Sequence, residues 1–380
     1  MKFRGTNKIK MKIKGVFLIL MFLWIQNGVS QCDAVTVESV TNFTPFALDF
    51  IVESEGLRNG AKYNGATLFY PVNGNSNLKS IVLVPGYTAE QNSVMGWARY
   101  LASRGYVCMT IGTNSLTDSP LIRAEALIDG METIRQENNR KSSPLYQKID
   151  TNNIAVGGWS MGGGGAQLAA KIDPTIKAVF AIAPWLLEST LSISSLNHSA
   201  PLLIISGQLD QIAPINRHAD VHYNYTPNTT NKLLFEISGG NHYSPLNPLT
   251  GNGDVGNIAY AWFQLFLATT DCYCKLLNVA NLDQNSTSSK YLTNLNCTTL
   301  SEKEFEDTKI KVQMFPNVAE DELTVYFSKP YAIDYTVNNV LGQQVKYGKI
   351  NAGDKINVNE LSTGLYFLRL EKQVFKFLKK

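Results

Sequence analysis

Ser160 stands in the run Gly157-Gly158-Trp159-Ser160-Met161-Gly162-Gly163-Gly164, directly after the apolar stretch Ile154–Val156. A G-x-S-x-G pattern between a β-type run and a helix makes a sharp turn, because Gly158 and Gly162 carry no Cβ to clash there. Such a turn leaves the Ser160 hydroxyl protruding, which is what nucleophilic attack on a carbonyl requires. The following Gly-, Ala- and Leu-rich stretch, Met161–Lys171, reads as the helix behind the elbow. A Gly-rich turn with an incidental serine would need neither the strand before it nor the helix after it.

A serine hydroxyl is a weak nucleophile, so it needs a base, and the base needs an acid to orient it. His242 follows the β-type run Leu233–Ile237 through Ser238-Gly239-Gly240, a flexible loop at a strand's carboxyl end. His198 precedes a strand and so lies at its wrong end. His218 and His222 are spaced i, i+4 on an expected helix, where such a pair reads as solvated rather than as a metal site. Asp210 follows Leu202–Ser206 through Gly207-Gln208-Leu209 and is the only carboxylate before the next helix. It is expected to fix the His242 tautomer and to stabilise the imidazolium.

The oxyanion of acyl transfer needs two preorganised donors. One is expected to be the N–H of Met161, next to the nucleophile. The other is expected from the loop Pro85-Gly86-Tyr87-Thr88, which makes Tyr87 the candidate. The rings of Tyr87 and of Trp185, in the loop Ala183-Pro184-Trp185, would then flank a flat or apolar substrate.

These loops need a scaffold. From Ser80 to Leu267, short apolar runs alternate with helical patterns: Ile81–Val84, Tyr106–Ile111, Ile154–Val156, Ala178–Ile182, Leu202–Ser206 and Leu233–Ile237, with helices such as Ala124–Glu137 between them. This alternation predicts an α/β fold, a mainly parallel sheet covered by helices on both faces. Ala47–Tyr70 reads as an antiparallel lead-in. Asn278–Lys309, rich in Asn, Ser and Thr and then in Glu and Lys, reads as a C-terminal loop and linker after a catalytic domain of residues 31–277. Residues 310–380 follow as a small all-β domain.

The first 30 residues combine a basic stretch, Lys2 to Lys14, an apolar core, Val16–Ile25, and the small-residue site Gly28-Val29-Ser30. That is a secretory signal peptide, and no other stretch suggests a transmembrane span. Gln31 before Cys32 is a poor match to a lipid-attachment site. Residues 31–307 carry 17 basic and 24 acidic side chains, a balance of −7 that argues against nucleic acid as a partner. Cys108 lies within a strand-like run and reads as a buried thiol. Cys32, Cys272, Cys274 and Cys297 can form two bridges in three ways in an oxidising compartment, or part of them a Cys-x-Cys metal site, the less favoured reading. The chemistry calls for no cofactor, and a structural calcium ion is not readable from sequence.

Six motifs occur in order: Pro85-Gly86-Tyr87-Thr88-Ala89, Thr113-Asn114-Ser115, Gly158 to Gly165, Ala183-Pro184-Trp185, Asp210 to Pro214, and Gly239-Gly240-Asn241-His242. Over residues 40–270 the chain resembles the bacterial cutinases and PET hydrolases of the polyesterase–lipase–cutinase family. The resemblance implies an α/β-hydrolase fold and hydrolysis of polyester or other carboxylic esters through an acyl-enzyme. It also implies that Gln91, Trp159, Ile212 and Tyr243 line the cleft beside Tyr87, Met161 and Trp185. Gly112 stands where the family usually has Asp. Gln208 and Ser244 replace the cysteines of a second bridge found beside the active site in one member. The tail motifs Met314-Phe315-Pro316-Asn317, Asn339 to Val345 and Asn359 to Phe367 resemble the type IX secretion sorting domain, which implies a small β-sandwich read by the export machinery. The expectation is a secreted or surface-displayed monomeric ester hydrolase. A lipase or small-ester carboxylesterase is the alternative within the enzymes, and a module that only binds hydrophobic surfaces the alternative outside them.

Overall fold

The computed structural model describes residues 32, 34–74, 76–278, 282–283, 287–297, 313–327, 331–370 and 373–380. The expected signal peptide lies outside them. Contacts divide the chain into two units, with the boundary after Cys297.

The first unit is built on one nine-stranded sheet. Its strands are β1 (Leu48–Val52), β2 (Ala66–Pro71), β3 (Leu78–Val84), β4 (Val107–Ile111), β5 (Ile149–Trp159), β6 (Val179–Ile182), β7 (Leu202–Gly207), β8 (Lys232–Ile237) and β9 (Ser288–Thr293), in the spatial order β1-β2-β4-β3-β5-β6-β7-β8-β9. The six strands from β3 to β8 run parallel, while β1, β2 and β9 are antiparallel to their neighbours. Strands buried on both faces read as continuous apolar runs, and β4, β6 and β7 do so.

Helices α1 (Val37–Thr41), α2 (Met95–Ala102), α3 (Pro120–Asn139), α4 (Met161–Ile172), α5 (Ala219–Tyr225), α6 (Asp254–Phe266) and α7 (Cys274–Leu277) accompany the sheet. Two apolar cores form, one on each of its faces. One holds Trp97, Phe180, Phe235, Trp262 and Phe263 under α2 and α6; the other holds Val82, Met109, Met131, Ile134, Ala166 and Ala169 under α3 and α4. Ser119 caps α3, its hydroxyl accepting from Ile122 N–H, and Pro120 fills the first helical position.

The stretch expected to be loop and linker after Leu277 contains β9, which pairs with β8 from Leu233↔Thr293 to Ile237↔Ser288. The catalytic unit therefore extends to Cys297, and the expected end at 277 is corrected. Its ends are fastened by two disulfides, Cys32–Cys272 and Cys274–Cys297, so the Cys-x-Cys pair is no metal site. Cys108 is a buried free thiol. Among the described residues no helix is long and apolar enough to cross a membrane, and no group of three or more His, Cys, Asp and Glu could hold a metal.

The second unit has a three-stranded sheet of β10 (Gln313–Phe315), β12 (Glu322–Tyr326) and β15 (Lys355–Asn357). Its five-stranded sheet consists of β11 (Val318–Ala319), β17 (Gln373–Lys379), β16 (Gly364–Leu370), β13 (Ile333–Asn339) and β14 (Gln344–Ile350). Leu323, Val325, Val337, Leu368 and Phe377 form its core.

Candidate active site

Ser160 occupies the junction of β5 and α4 with φ 57° and ψ −119°, a left-handed conformation unusual for a residue with a side chain. Neighbouring glycines make the turn sterically possible. A Cβ on Gly158 would lie 2.6 Å from the carbonyl carbon of Gly162, and one on Gly162 only 2.5 Å from the Val84 oxygen. Main-chain bonds hold Ser160 from both sides: its N–H donates to Ile182 O (2.8 Å), and its C=O accepts from Trp185 N–H (2.9 Å) and Gly164 N–H (3.1 Å). Strain of this kind persists only where the surroundings over-determine it.

Asp210 and His242 form a buried pair, with His242 Nδ1 2.6 Å from Asp210 Oδ2. The second carboxylate oxygen accepts from the N–H groups of Ile212 (2.9 Å) and Ala213 (2.8 Å), so the acid cannot swing away. With Nδ1–H given to Asp210, Nε2 is left as the acceptor for a proton. The two loops are laced together. Leu209 N–H donates to Gly240 O (2.7 Å) and Gly239 N–H to Gln208 Oε1 (2.8 Å). Gly207 lets the base loop pass, since a Cβ there would lie 2.4 Å from Asn241 O.

Trp159 links nucleophile and base. Its indole N–H donates to the His242 carbonyl (3.0 Å), and its ring lies 5.2 Å from the imidazole and 5.4 Å from the Tyr243 ring. At 7% exposure it is mostly covered, and its bond to the His242 carbonyl braces the base. The loop bearing Tyr87 passes close to the nucleophile, since a Cβ on Gly86 would lie 3.0 Å from Ser160 Cβ. Among the described residues, the N–H groups of Tyr87 and Met161 have no main-chain acceptor outside the helix and sheet bonds. That leaves them available to a developing negative charge.

Tyr87, Ile212 and Tyr243 are each more than half exposed. Trp185 is half-buried and stacks on His218 at 5.8 Å and 27°. A groove of ≈ 610 Å³ is lined by Trp185, Leu187, Gln211, Ile212, Arg217 and His218. Arg217 pairs with Glu188 at the same groove. Gln91 is half-buried, and its side-chain oxygen accepts from Thr110 Oγ (3.3 Å).

His218 and His222 are buried, which corrects the expectation of a solvated pair. His218 lies just ahead of α5 under Trp185, and His222 meets the Gln167 amide of α4 at 2.6 Å. Burial pulls the pKa of His222 down to about 3 and that of His198 down to about 4. Gly112 also has a local cause: a Cβ there would lie 2.2 Å from Asn64 O, so the backbone leaves no room for the usual Asp.

Residues 31–298 match the PET hydrolase-like family model, and residues 313–380 match the secretion system C-terminal sorting domain. The chain belongs to the PET hydrolase-like family. Among the family's relatives, cutinase 1 of Thermobifida cellulosilytica is 34% identical over 215 residues, 57% of this chain and 78% of that protein. Cutinase 2 of the same organism is 34% identical over 234 residues, 61% of this chain and 84% of that protein. The bis(hydroxyethyl) terephthalate hydrolase of Streptomyces coelicolor is 31% identical over 206 residues, 54% and 63%. The C-terminal domain marks the chain for type IX secretion and hence for the cell exterior or surface.

Proposed function

We propose that this chain hydrolyses carboxylic esters, polyesters among them, through an acyl-enzyme on Ser160. In this reading His242 Nε2 takes the Ser160 proton as Oγ attacks the ester carbonyl, and Asp210 stabilises the imidazolium. The oxyanion is received by the N–H groups of Met161 and Tyr87. His242 then protonates the departing alcohol, next deprotonates a water that attacks the acyl-enzyme, and finally returns the proton to Ser160 as the acid leaves.

The observation that carries this reading is the strained Ser160 turn beside a buried Asp210–His242 pair, set in a PET hydrolase-like chain. The open apolar rim of Tyr87, Ile212, Tyr243 and Trp185 favours a flat or polymeric ester over a small soluble one. Every group in the scheme comes from one chain, and we take the active form to be a monomer that needs no cofactor.

Ser160→Ala should lower turnover of a p-nitrophenyl ester by roughly 10³-fold or more with the fold intact. Retention of a tenth of wild-type turnover would sink the assignment. Assays on short esters, triolein, polycaprolactone and amorphous PET film then rank the substrates; a preference for triolein over both polymers would favour the lipase reading.

A further inference from the structure

Arg123 lies in the first turn of α3, at the positive end of the helix dipole, where a cation is disfavoured. It is fully buried all the same. Three hydrogen bonds from its side chain go to main-chain carbonyls: Nε to Asp118 O, Nη1 to Pro85 O and Nη2 to Leu116 O, each 3.0 Å. Burial lowers its pKa to about 10, with Asp118 opposing, so the group remains charged at neutral pH. A buried cation placed against the dipole and spent on carbonyls is costly unless those carbonyls need holding.

Two of the three acceptors bracket the proposed oxyanion loop. Pro85 O belongs to the peptide just before Gly86. Leu116 O accepts from Arg123 and also from Thr88 N–H (2.8 Å), which belongs to the peptide just after Tyr87. The peptide between them carries the Tyr87 N–H. Thr88 has φ 56°, so this loop is bent into a conformation that a side chain resists. Room for the clamp comes from Gly165 of α4, where a Cβ would lie 3.1 Å from Arg123 Cβ.

We infer that Arg123 is a positioning residue that clamps the peptides on either side of Tyr87 and so preorganises the oxyanion donor. The inference rests on the oxyanion role proposed above for Tyr87. A guanidinium suits the task because its planar fork presents donors in several fixed directions, whereas a lysine amine is a single point.

The test compares wild type, Arg123→Lys, Arg123→Met and Ser160→Ala in the full-length chain, with p-nitrophenyl acetate and at temperatures well below each Tm. Arg123→Lys and Arg123→Met should lose roughly 10- to 100-fold in kcat, of the size seen for a weakened oxyanion donor, with KM changed less than about threefold. The Lys variant should stay on the better side of the Met variant. Wild-type kcat in either folded variant overturns the inference, as does a loss confined to KM. If Arg123→Met does not fold, Arg123→Lys decides alone. Substantial activity in Ser160→Ala refutes the acyl-enzyme reading itself, whereas an inactive Ser160→Ala beside a fully active Arg123→Lys refutes only the clamp.

Discussion

Asp210 uses one oxygen to hold the imidazole and the other to cap its own loop. Replacing it by Asn keeps the shape but offers an amide where the tautomer needs an acceptor. Asp210→Asn is therefore expected to cut kcat by roughly 10⁴ with an almost unchanged Tm, as measured on a chromogenic ester and by thermal melting. Trp185 lies outside the proton path, so Trp185→Ala should lose about 1–3 kcal/mol of binding only where the substrate reaches the ring. The check is kcat/KM on p-nitrophenyl acetate against product release from polyester film; equal losses would make Trp185 a support of the loop. The Ser160, Asp210 and His242 positions were legible because each follows a β-type run with a short Gly-bearing loop. The brace by Trp159 and the clamp by Arg123 were not, since both depend on carbonyls distant in sequence.

At the scale of elements, α4 has four glycines in succession, Gly162 to Gly165, directly after its first residue, a costly choice for a helix. In a solvent-exposed helix each Gly→Ala change gains about 1 kcal/mol. Here the sign should reverse, because a Cβ on Gly164 would lie 2.2 Å from the Trp185 carbonyl oxygen. Gly164→Ala is expected to destabilise by about 1–3 kcal/mol and to slow polymer hydrolysis as the Trp185 loop shifts. A urea midpoint at or above that of wild type would show that the loop yields without cost. The parallel strands were legible as apolar runs, whereas β9 was not. Its sequence, Ser288 to Thr293, is mostly polar because it is an edge strand with every residue at least partly exposed, and Tyr291 stacks edge-on to Phe235. The burial of His218 and His222 was likewise hidden, as i, i+4 spacing says nothing about which face meets the core.

For the whole molecule, the buried imidazoles set an acid limit. The folded pKa values of His198, about 4, and His222, about 3, lie below the ordinary value of 6.5. As pH falls below 6.5 the unfolded chain binds protons that the folded chain refuses, so stability is present above that value and is lost toward the folded pKa values. Each such group costs up to about 1.4 kcal/mol per pH unit within its window. Denaturant unfolding from neutral pH down to about 4.5 should show this slope, and His198→Leu should flatten it; an unchanged slope would remove His198 as a cause. The disulfides act in the opposite direction. In the chain-entropy model the Cys32–Cys272 bridge contributes about 5 kcal/mol and Cys274–Cys297 about 3 kcal/mol, so Cys32→Ser should lower Tm more than Cys297→Ser.

The Cys274–Cys297 bridge also decides where a mechanical load enters the catalytic unit. Tension arriving through the C-terminal tail, as when the tail is held at a surface while the enzyme grips a polymer, reaches Cys297 first. An edge strand pulled from its end unzips one hydrogen bond at a time, and β9 is such a strand. The sulfur link passes the force to Cys274 at the start of α7 and leaves β9 inside an unloaded loop. From there the adjacent Cys272–Cys32 bridge shares it with the other end of the unit. That edge strand is thus shunted out of the force path.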